Sequence, residues 1–189
     1  MNPIFAAALE AQDFCRARGF HFCFIGGLAL QRWGEPRLTQ DVDLTVLSGF
    51  GREHEYADQF LSTFPPRIPD AREFALRHRV LLLLTRGEIP LDVALGAMPF
   101  EERAVNRASP FLVAEGVSLM TCSAEDLIVF KAFAARDQDW IDIAGIALRQ
   151  RHRLDERLIL CLAKLRRHLR EEGTVRGESS RGAAARPSR

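Results

Sequence analysis

Residues 22–47 read FCFIGGLALQRWGEPRLTQDVDLTVL, and they join a glycine turn to a strand that carries two carboxylates. An apolar run ends at Gly26 and Gly27, and a helical pattern then continues to Trp33. Glycines at the start of a helix let backbone N–H groups approach an anion such as a phosphate. The first half of this stretch therefore predicts a strand, a tight turn and a helix whose N-terminus faces an anionic group.

The second half of the stretch has the alternation of a half-buried strand. Apolar residues at 42, 44 and 46 alternate with Asp41, Asp43 and Thr45, so the two carboxylates are expected on the same face. Neighbouring carboxylates repel each other, and a hard divalent cation with oxygen ligands relieves that repulsion. The strand thus predicts one side of a metal site.

A third carboxylate, Asp92, stands in the alternating segment IPLDVAL at residues 89–95. If this segment pairs beside the strand of Asp43, three carboxylates converge and can hold two Mg²⁺ ions about 3.5–4 Å apart, as in phosphoryl and nucleotidyl transfer. An Asp-x-Asp strand alone is more often a solvated sheet edge, and a glycine pair alone is usually a turn. The combination and order of the motifs favour the metal site.

These motifs resemble those of the polymerase-beta-like nucleotidyltransferase superfamily, at Gly26, Gly27, Asp41, Asp43 and Asp92. Within that superfamily the chain is similar to the minimal nucleotidyltransferases and the AbiEii-type abortive-infection toxins. Those proteins add a helix that bears a lysine and, about a dozen residues later, an aspartate at a helix start. Residues 123–143 contain this third motif, and the resemblance covers roughly residues 20–150.

The resemblance implies transfer of a nucleoside monophosphate from an NTP to an acceptor hydroxyl, with release of pyrophosphate. Asp41 and Asp43 are then expected to hold two Mg²⁺ ions. Asp92 is expected to complete the shell of the catalytic metal, and to lower the pKa of the acceptor hydroxyl or accept its proton.

The remaining site residues are also assigned by resemblance. Gly26 and Gly27 would cradle the β- and γ-phosphates, and Lys131 would neutralise charge on the leaving pyrophosphate. Asp142 is expected to position Lys131 or the acceptor, and Asp139 to cap its helix. Since Lys131 lies in an apolar helical segment, the alternative is a surface lysine whose stem lies along apolar side chains.

Two features depart from the family pattern. Gly27 stands where many relatives have serine, so a hydroxyl contact to the triphosphate is missing. The segment between the glycines and Asp41 also contains an extra turn, Trp33-Gly-Glu-Pro-Arg37. This turn either carries Arg37 toward the phosphates or caps the preceding helix.

Strands in the first half and helices in the second predict an α+β fold: a small mixed sheet of nucleotidyltransferase type, with flanking helices and a helical C-terminal half. We expect one domain over residues 1–172, with its sheet within about 1–121 and helices over about 122–172, and a disordered tail over 173–189. The predicted helices are at 4–18, 28–33, 52–62, 140–150 and 154–170, with a further helix that carries Lys131 and has its N-cap at 123–126. The predicted strands are at 21–25, 41–47, 74–76, 80–84, 91–95 and 117–121.

The C-terminal segment is basic. Residues 149–189 contain twelve Lys or Arg and five Asp or Glu, in a protein of formal net charge +1. A basic helix beside an active site guides a large anionic acceptor such as RNA, including tRNA, although a solvated helix face explains the same pattern. With the resemblance, this segment favours a toxin with an RNA or protein acceptor and an antitoxin partner. The alternatives are an antibiotic-modifying nucleotidyltransferase and a non-catalytic nucleotide-binding module of the same fold.

The cysteines, the N-terminus and the lengths of the apolar runs indicate the cellular compartment. The four cysteines have no Cys-x-x-Cys spacing and lie within apolar stretches, as expected of buried thiols in a reducing cytosol. The N-terminus lacks a basic region followed by a long apolar core, and no run of about 18 apolar residues is present. We therefore expect a cytoplasmic protein with no membrane association.

Overall fold

The computed structural model describes residues 2–161 and 164. The strands are β1 Phe22–Phe24, β2 Val42–Leu47, β3 Val80–Leu84, β4 Pro90–Gly96, β5 Ser109–Ala114 and β6 Val117–Thr121. The helices are α1 Pro3–Ala17, α2 Gly26–Trp33, α3 Glu53–Leu61, α4 Ala71–His78, α5 Pro99–Asn106, α6 Ala124–Ala134 and α7 Asp137–Gln150, followed by a 3₁₀ turn at Arg151–Arg153. Residues 156–161 are again helical.

The six strands form one mixed sheet in the order β3-β4-β2-β1-β6-β5, which confirms the predicted α+β class. β2 lies in the interior of the sheet, antiparallel to β1 and parallel to β4. The pairing of the two aspartate strands, inferred from sequence, is confirmed, because Asp43 and Asp92 are direct partners in the register of β2 and β4.

Each face of the sheet is covered by its own group of helices. One core joins α1 and α3 to the apolar face of β2, where Val42, Leu44 and Val46 are fully buried. The second core joins α2, α5, α6 and α7 to the opposite face. Cys23 on β1 belongs to this second core and is paired with Thr45, two residues beyond Asp43 on the same face of β2. The predicted carboxylate face therefore points toward α2, α6 and α7.

One predicted strand is wrong. Residues 74–76 belong to helix α4, where Ala71 and Ala75 are buried four residues apart on one helical face. Strong helix formers occupy most of this helix and outweigh the short apolar group that suggested a strand. The sequence analysis also missed β5 and α5. α5 begins with Pro99, and the Glu101 carboxylate accepts hydrogen bonds from the backbone N–H of Ala97 and Met98.

The other expectations concern the termini and the cysteines. Residues 156–161 of the predicted helix at 154–170 are helical, and the predicted tail at 173–189 lies outside the described residues. Buried thiols are confirmed for Cys15, Cys23 and Cys122, but the expectation is wrong for Cys161, which is exposed. No helix within the described residues has the length and apolar character needed to cross a bilayer.

Candidate active site

Three aspartates face one cavity of about 300 Å³ on the helical side of the sheet. Asp43 lies on β2 and Asp92 beside it on β4, while Asp41 immediately precedes β2. Burial, together with the charges of Asp41 and Asp92, raises the pKa of Asp43 to about 6. Burial also raises the pKa of Asp92. The cavity therefore holds more negative charge than its immediate surroundings neutralise.

Carboxylate oxygens that share one cavity match the ligand preference of a hard divalent cation. In the described part of the chain, however, no three His, Cys, Asp or Glu side chains lie close enough together to form a ready-made metal site. Asp92 is also bound by Arg67, with 2.5 Å between Nη2 and Oδ1. The carboxylates have the chemistry for Mg²⁺, and Arg67 holds one of them.

The glycine turn is packed against Asp43. Gly26 has a φ of +55°, and a Cβ atom there would lie 2.0 Å from Oδ2 of Asp43. A side chain at this position would therefore be strained and would displace the carboxylate. The Gly27 N–H donates a hydrogen bond to Asp43, which lowers the pKa of that carboxyl against the larger effect of burial. The turn thus positions Asp43 as well as starting α2.

A serine side chain at position 27 would also collide with a neighbouring residue. A Cβ atom at Gly27 would lie 2.3 Å from Oγ1 of Thr39, which is itself buried. The Thr39 hydroxyl donates to Oδ1 of Asp41 at 3.0 Å. In this chain the threonine therefore occupies the space that a serine side chain would need, and it orients the first aspartate.

Lys131 is buried opposite the aspartates and is only 4% exposed. Its Nζ atom lies 2.5 Å from Oδ2 of Asp142 and 3.2 Å from Oδ1 of Asp139, both on α7. The alternative of a surface lysine is wrong, because an ammonium at this depth needs its carboxylate partners. Lys131 lines the cavity of the three aspartates.

Two arginines extend this ion pair into a row of alternating charges, Arg37–Asp142–Lys131–Asp139–Arg136. Arg37 binds Asp142 through Nε and Nη2, both at 3.1 Å, rather than capping α2. Burial disfavours ionisation of Asp142, but hydrogen bonds from Arg37, Lys131 and Gln138 outweigh it and lower its pKa to about 2. Arg136 binds Asp139 at 2.8 Å through Nε, and its side chain is 75% exposed.

Asp139 has two functions in this row. Its Oδ2 atom accepts a hydrogen bond from the Arg136 backbone N–H, which confirms the predicted cap of α7. Its Oδ1 atom accepts from Lys131. The row carries three positive and two negative charges, and Arg37, Lys131 and Arg136 all line the cavity of the aspartates. The cavity is therefore acidic on the sheet and basic on the helices.

A second cavity of about 400 Å³ continues from the first. The two share Gly26, Asp43, Lys131, Arg136 and Asp139, but Asp41 and Asp92 line only the first. Aromatic and aliphatic side chains contribute much of the wall of the second cavity, and they include Leu95, Met98, Leu127, Phe130 and Phe133. The site thus combines an ionic compartment with an apolar one.

The structure brings together all of the predicted site residues. Seven line the ionic cavity, namely Gly26, Gly27, Arg37, Asp41, Asp43, Asp92 and Lys131. Asp142 contacts the cavity through Arg37 and Lys131. The sequence analysis missed Thr39, Arg67, Arg136 and Gln138. A signal existed only for Arg136, which stands three residues before Asp139, at the spacing of a helix cap.

We expect Asp43→Asn to stabilise the metal-free protein at neutral pH. The pKa of Asp43 is about 6 in the folded protein and near 3.8 in the unfolded chain. The wild type therefore loses stability as the pH rises from 4 to 6, and it does not regain this stability above pH 6. An asparagine avoids this loss, worth up to about 3 kcal/mol. Thermal unfolding in EDTA should show a higher Tm for the variant at pH 7.5 and equal Tm values near pH 4. A lower Tm of the variant at pH 7.5 would contradict the raised pKa of Asp43.

We expect the crowding between Gly27 and Thr39 to appear as an energetic coupling. Gly27→Ser should cost about 1–3 kcal/mol of unfolding free energy, because overpacked sites are strained. Thr39→Gly removes the atoms that the new side chain meets. The double variant should therefore be more stable than the sum of the two single changes predicts, by about 1 kcal/mol in denaturant titrations. Strictly additive costs would show that Thr39 does not exclude serine.

Comparison with solved structures shows the same fold. The solution structure of the antibiotic-resistance factor ANT(2'')-Ia matches 93% of this chain and 97% of its own, with a TM-score of 0.54 and 15% identity. ANT(2'')-Ia in complex with adenylyl-2''-tobramycin matches 87% of this chain and 95% of its own, with a TM-score of 0.50 and 16% identity. An antigenic nucleotidyltransferase-like protein from Paracoccidioides brasiliensis matches 92% of this chain and 92% of its own, with a TM-score of 0.52 and 16% identity.

A comparison with curated proteins found no match. The sequence pattern of the family described as nucleotidyl transferase AbiEii toxin, type IV TA system, matches residues 9–187, which is nearly the whole chain. Together with the polymerase-beta-like fold and the order of the motifs, this match confirms the resemblance. The chain belongs to the AbiEii family of nucleotidyl transferase toxins and is a nucleotidyltransferase.

Proposed function

We propose that the protein transfers a nucleoside monophosphate from an NTP to an acceptor hydroxyl in a reaction that depends on Mg²⁺. The observation that carries this proposal is the direct pairing of Asp43 with Asp92 beside the Gly26 turn, opposite three basic side chains. A triphosphate between these walls meets metal-binding carboxylates on one side and cations on the other. Both are needed, because charge moves from the attacking oxygen to the leaving pyrophosphate.

The aspartates would hold the metal. Asp41 and Asp43 are assigned to both Mg²⁺ ions and Asp92 to the catalytic one. When bound, Mg²⁺ activates the attacking oxygen and stabilises the oxygen that leaves. Thr39 orients Asp41 through its hydroxyl, and Gly27 orients Asp43 through its N–H. The chain therefore fixes two of the three carboxylates before any substrate binds.

The basic row would bind the phosphates. Lys131 is held by two carboxylates and faces the cavity, so it supplies a fixed positive charge close to the leaving group. Asp142 acts as the positioning residue for both Lys131 and Arg37. Arg136 and Arg37 are more exposed than Lys131 and can turn toward a triphosphate. The N-terminus of α2 at Gly26 and Gly27 adds the favourable end of a helix dipole.

The apolar cavity would receive the nucleoside. It adjoins Asp43 and Lys131, and its Phe130 and Phe133 rings offer surface for a nucleobase. Asp92 lines only the ionic cavity, so the acceptor hydroxyl would enter from that side. There Asp92 is assigned to accept the hydroxyl proton while the oxygen attacks the α-phosphorus. The bond from that phosphorus to the bridging oxygen breaks, and pyrophosphate leaves.

The family description names a toxin of a type IV toxin–antitoxin system, and we infer that this protein acts as such a toxin with an antitoxin as its partner. RNA or protein is the acceptor that we propose for it. For an RNA acceptor such as the end of a tRNA, the basic residues between 149 and 170 would contact phosphates, and binding would weaken steeply with salt. A small-molecule acceptor, as for the antibiotic-modifying proteins of this fold, would give little salt dependence.

The function is tested by incubating the protein with each labelled NTP, Mg²⁺ and extracts of total RNA and protein. We expect one NTP to label one class of acceptor, and Asp41→Asn or Asp43→Asn to abolish labelling while both variants stay folded. Expression of the wild type should slow growth of a host, and expression of Asp43→Asn should not. Equal labelling by wild type and variants would contradict the proposed active site.

Arg136 allows a sharper test, because Arg52 is a matched control. Both arginines are exposed and bind a carboxylate three residues later in the chain. We expect Arg136→Gln to lower kcat/KM at least tenfold, as loss of one charged contact to the phosphates, with little change in Tm. Arg52→Gln, at a residue that lines neither cavity, should leave kcat/KM unchanged. Equal kinetics in both variants would remove Arg136 from the phosphate site.

A further inference from the structure

Arg67 approaches the active site from outside the sheet. It follows Pro65 and Pro66, which extend the sheet beyond its edge strand: Pro66 forms a bridge with Leu83, and the N–H of Arg67 donates to the carbonyl of Leu82 at 2.8 Å. Leu82 is paired with Asp92, and Asp92 with Asp43. Arg67, Leu82, Asp92 and Asp43 therefore lie in one row across the sheet.

This row sets where the Arg67 side chain can reach. Paired residues on neighbouring strands point to the same face, so Leu82 lies on the carboxylate face between Arg67 and Asp92. The Arg67 side chain crosses this strand and places Nη2 at 2.5 Å from Oδ1 of Asp92. Its backbone anchor makes this approach specific, since the hydrogen bond to Leu82 fixes the starting point of the side chain.

The contact takes the position of a cation at Asp92. The guanidinium supplies positive charge to an oxygen that the proposed function assigns to the catalytic metal. It binds through one nitrogen only, unlike the two-point contact between Arg37 and Asp142. Both side chains are also about one-third exposed, at 32% for Arg67 and 28% for Asp92. A single contact to a solvent-accessible carboxylate can exchange with another cation more readily than a two-point contact to a buried carboxylate such as Asp142.

We propose that Arg67 is a built-in competitor of the catalytic metal: it neutralises Asp92 in the metal-free protein and must leave Oδ1 before the metal binds there. This inference rests on the proposed metal site at Asp92. It adds that the apparent metal affinity of the protein is set by the release of Arg67 as well as by the three carboxylates. Arg67 is thus a positioning residue for Asp92 that lowers metal affinity at rest.

The chain offers a matched control five residues further on. Arg72 binds Asp58 at 2.6 Å between Nε and Oδ1, with both side chains exposed, and it lines neither cavity of the active site. Arg72→Gln removes the same charge and one ion pair without affecting the three aspartates of the active site. Arg67→Lys is a second variant, since it keeps the charge but loses the planar donor group that reaches Asp92.

The purified full chain is titrated with Mn²⁺ alone, and the EPR signal of the free ion measures how much Mn²⁺ the protein binds. We expect Arg67→Gln to bind Mn²⁺ about two- to fivefold more tightly than the wild type, in line with loss of a partly exposed ion pair. Arg67→Lys should show a smaller gain, and Arg72→Gln none. In an Asp92→Asn background, Arg67→Gln should give no gain, because the carboxylate for which the two cations compete is gone.

Unchanged or weaker Mn²⁺ binding by Arg67→Gln would overturn the proposal, as would an equal gain for Arg72→Gln or a gain that persists with Asp92→Asn. If the wild type binds no Mn²⁺ that is sensitive to Asp43→Asn, and Arg67→Gln does not create such binding, the metal site itself is contradicted. The two failures are therefore distinguishable.

Discussion

The parallel register of β2 and β4 places the Asp43 carboxylate directly beside that of Asp92, and the rest of the site compensates for the repulsion this creates. Asp41 adds a third negative charge at the start of the same strand. Close, partly buried carboxylates are costly to ionise, as the raised pKa values of Asp43 and Asp92 indicate. In the metal-free protein, Gly27 and Arg67 supply part of the compensation. A divalent cation would supply the remainder.

On the opposite wall of the cavity the crowded charge is positive, and negative side chains compensate for it. Lys131 is buried, so its charge requires partners, and α7 provides Asp139 and Asp142 at one helical turn's spacing. Arg37 and Arg136 complete the row at its two exposed ends. Removing Asp142 would leave the buried Lys131 ammonium with Asp139 alone, a carboxylate that Arg136 also binds, so we regard Asp142 as a structural requirement for Lys131. The helical half of the domain thus presents a fixed basic surface to the acidic sheet.

Much of this arrangement follows from sequence, because the patterns involved are local. Strand alternation separates Asp43 from Val42 and Leu44, and the glycine pair marks the start of α2. The pairing of β2 with β4 was predicted only as a consequence of the motif order, and the register confirms it. Contacts between distant segments were not predictable. Arg67 reaches Asp92 through an added edge segment, and nothing in the local sequence indicates that path.

Two residues show why burial is hard to infer from sequence. Lys131 has the setting of a surface lysine, yet the aspartates that allow its burial lie on the next helix. The sequence shows that Gly27 lacks a serine hydroxyl, but not that Thr39, twelve positions away, fills the space that a side chain would need. In both cases the decisive neighbour lies on another element.

The paired aspartates are proposed to bind the metal ions that carry the NTP. This binding is tested most directly by a crystal structure of the protein with Mn²⁺ and a non-hydrolysable NTP, with anomalous data collected at the manganese edge. We expect anomalous peaks between Asp41, Asp43 and Asp92, with the phosphates beside Gly26 and the basic row and with Arg67 no longer bound to Asp92. A nucleotide bound elsewhere, or one bound beside the aspartates without manganese between them, would contradict the account.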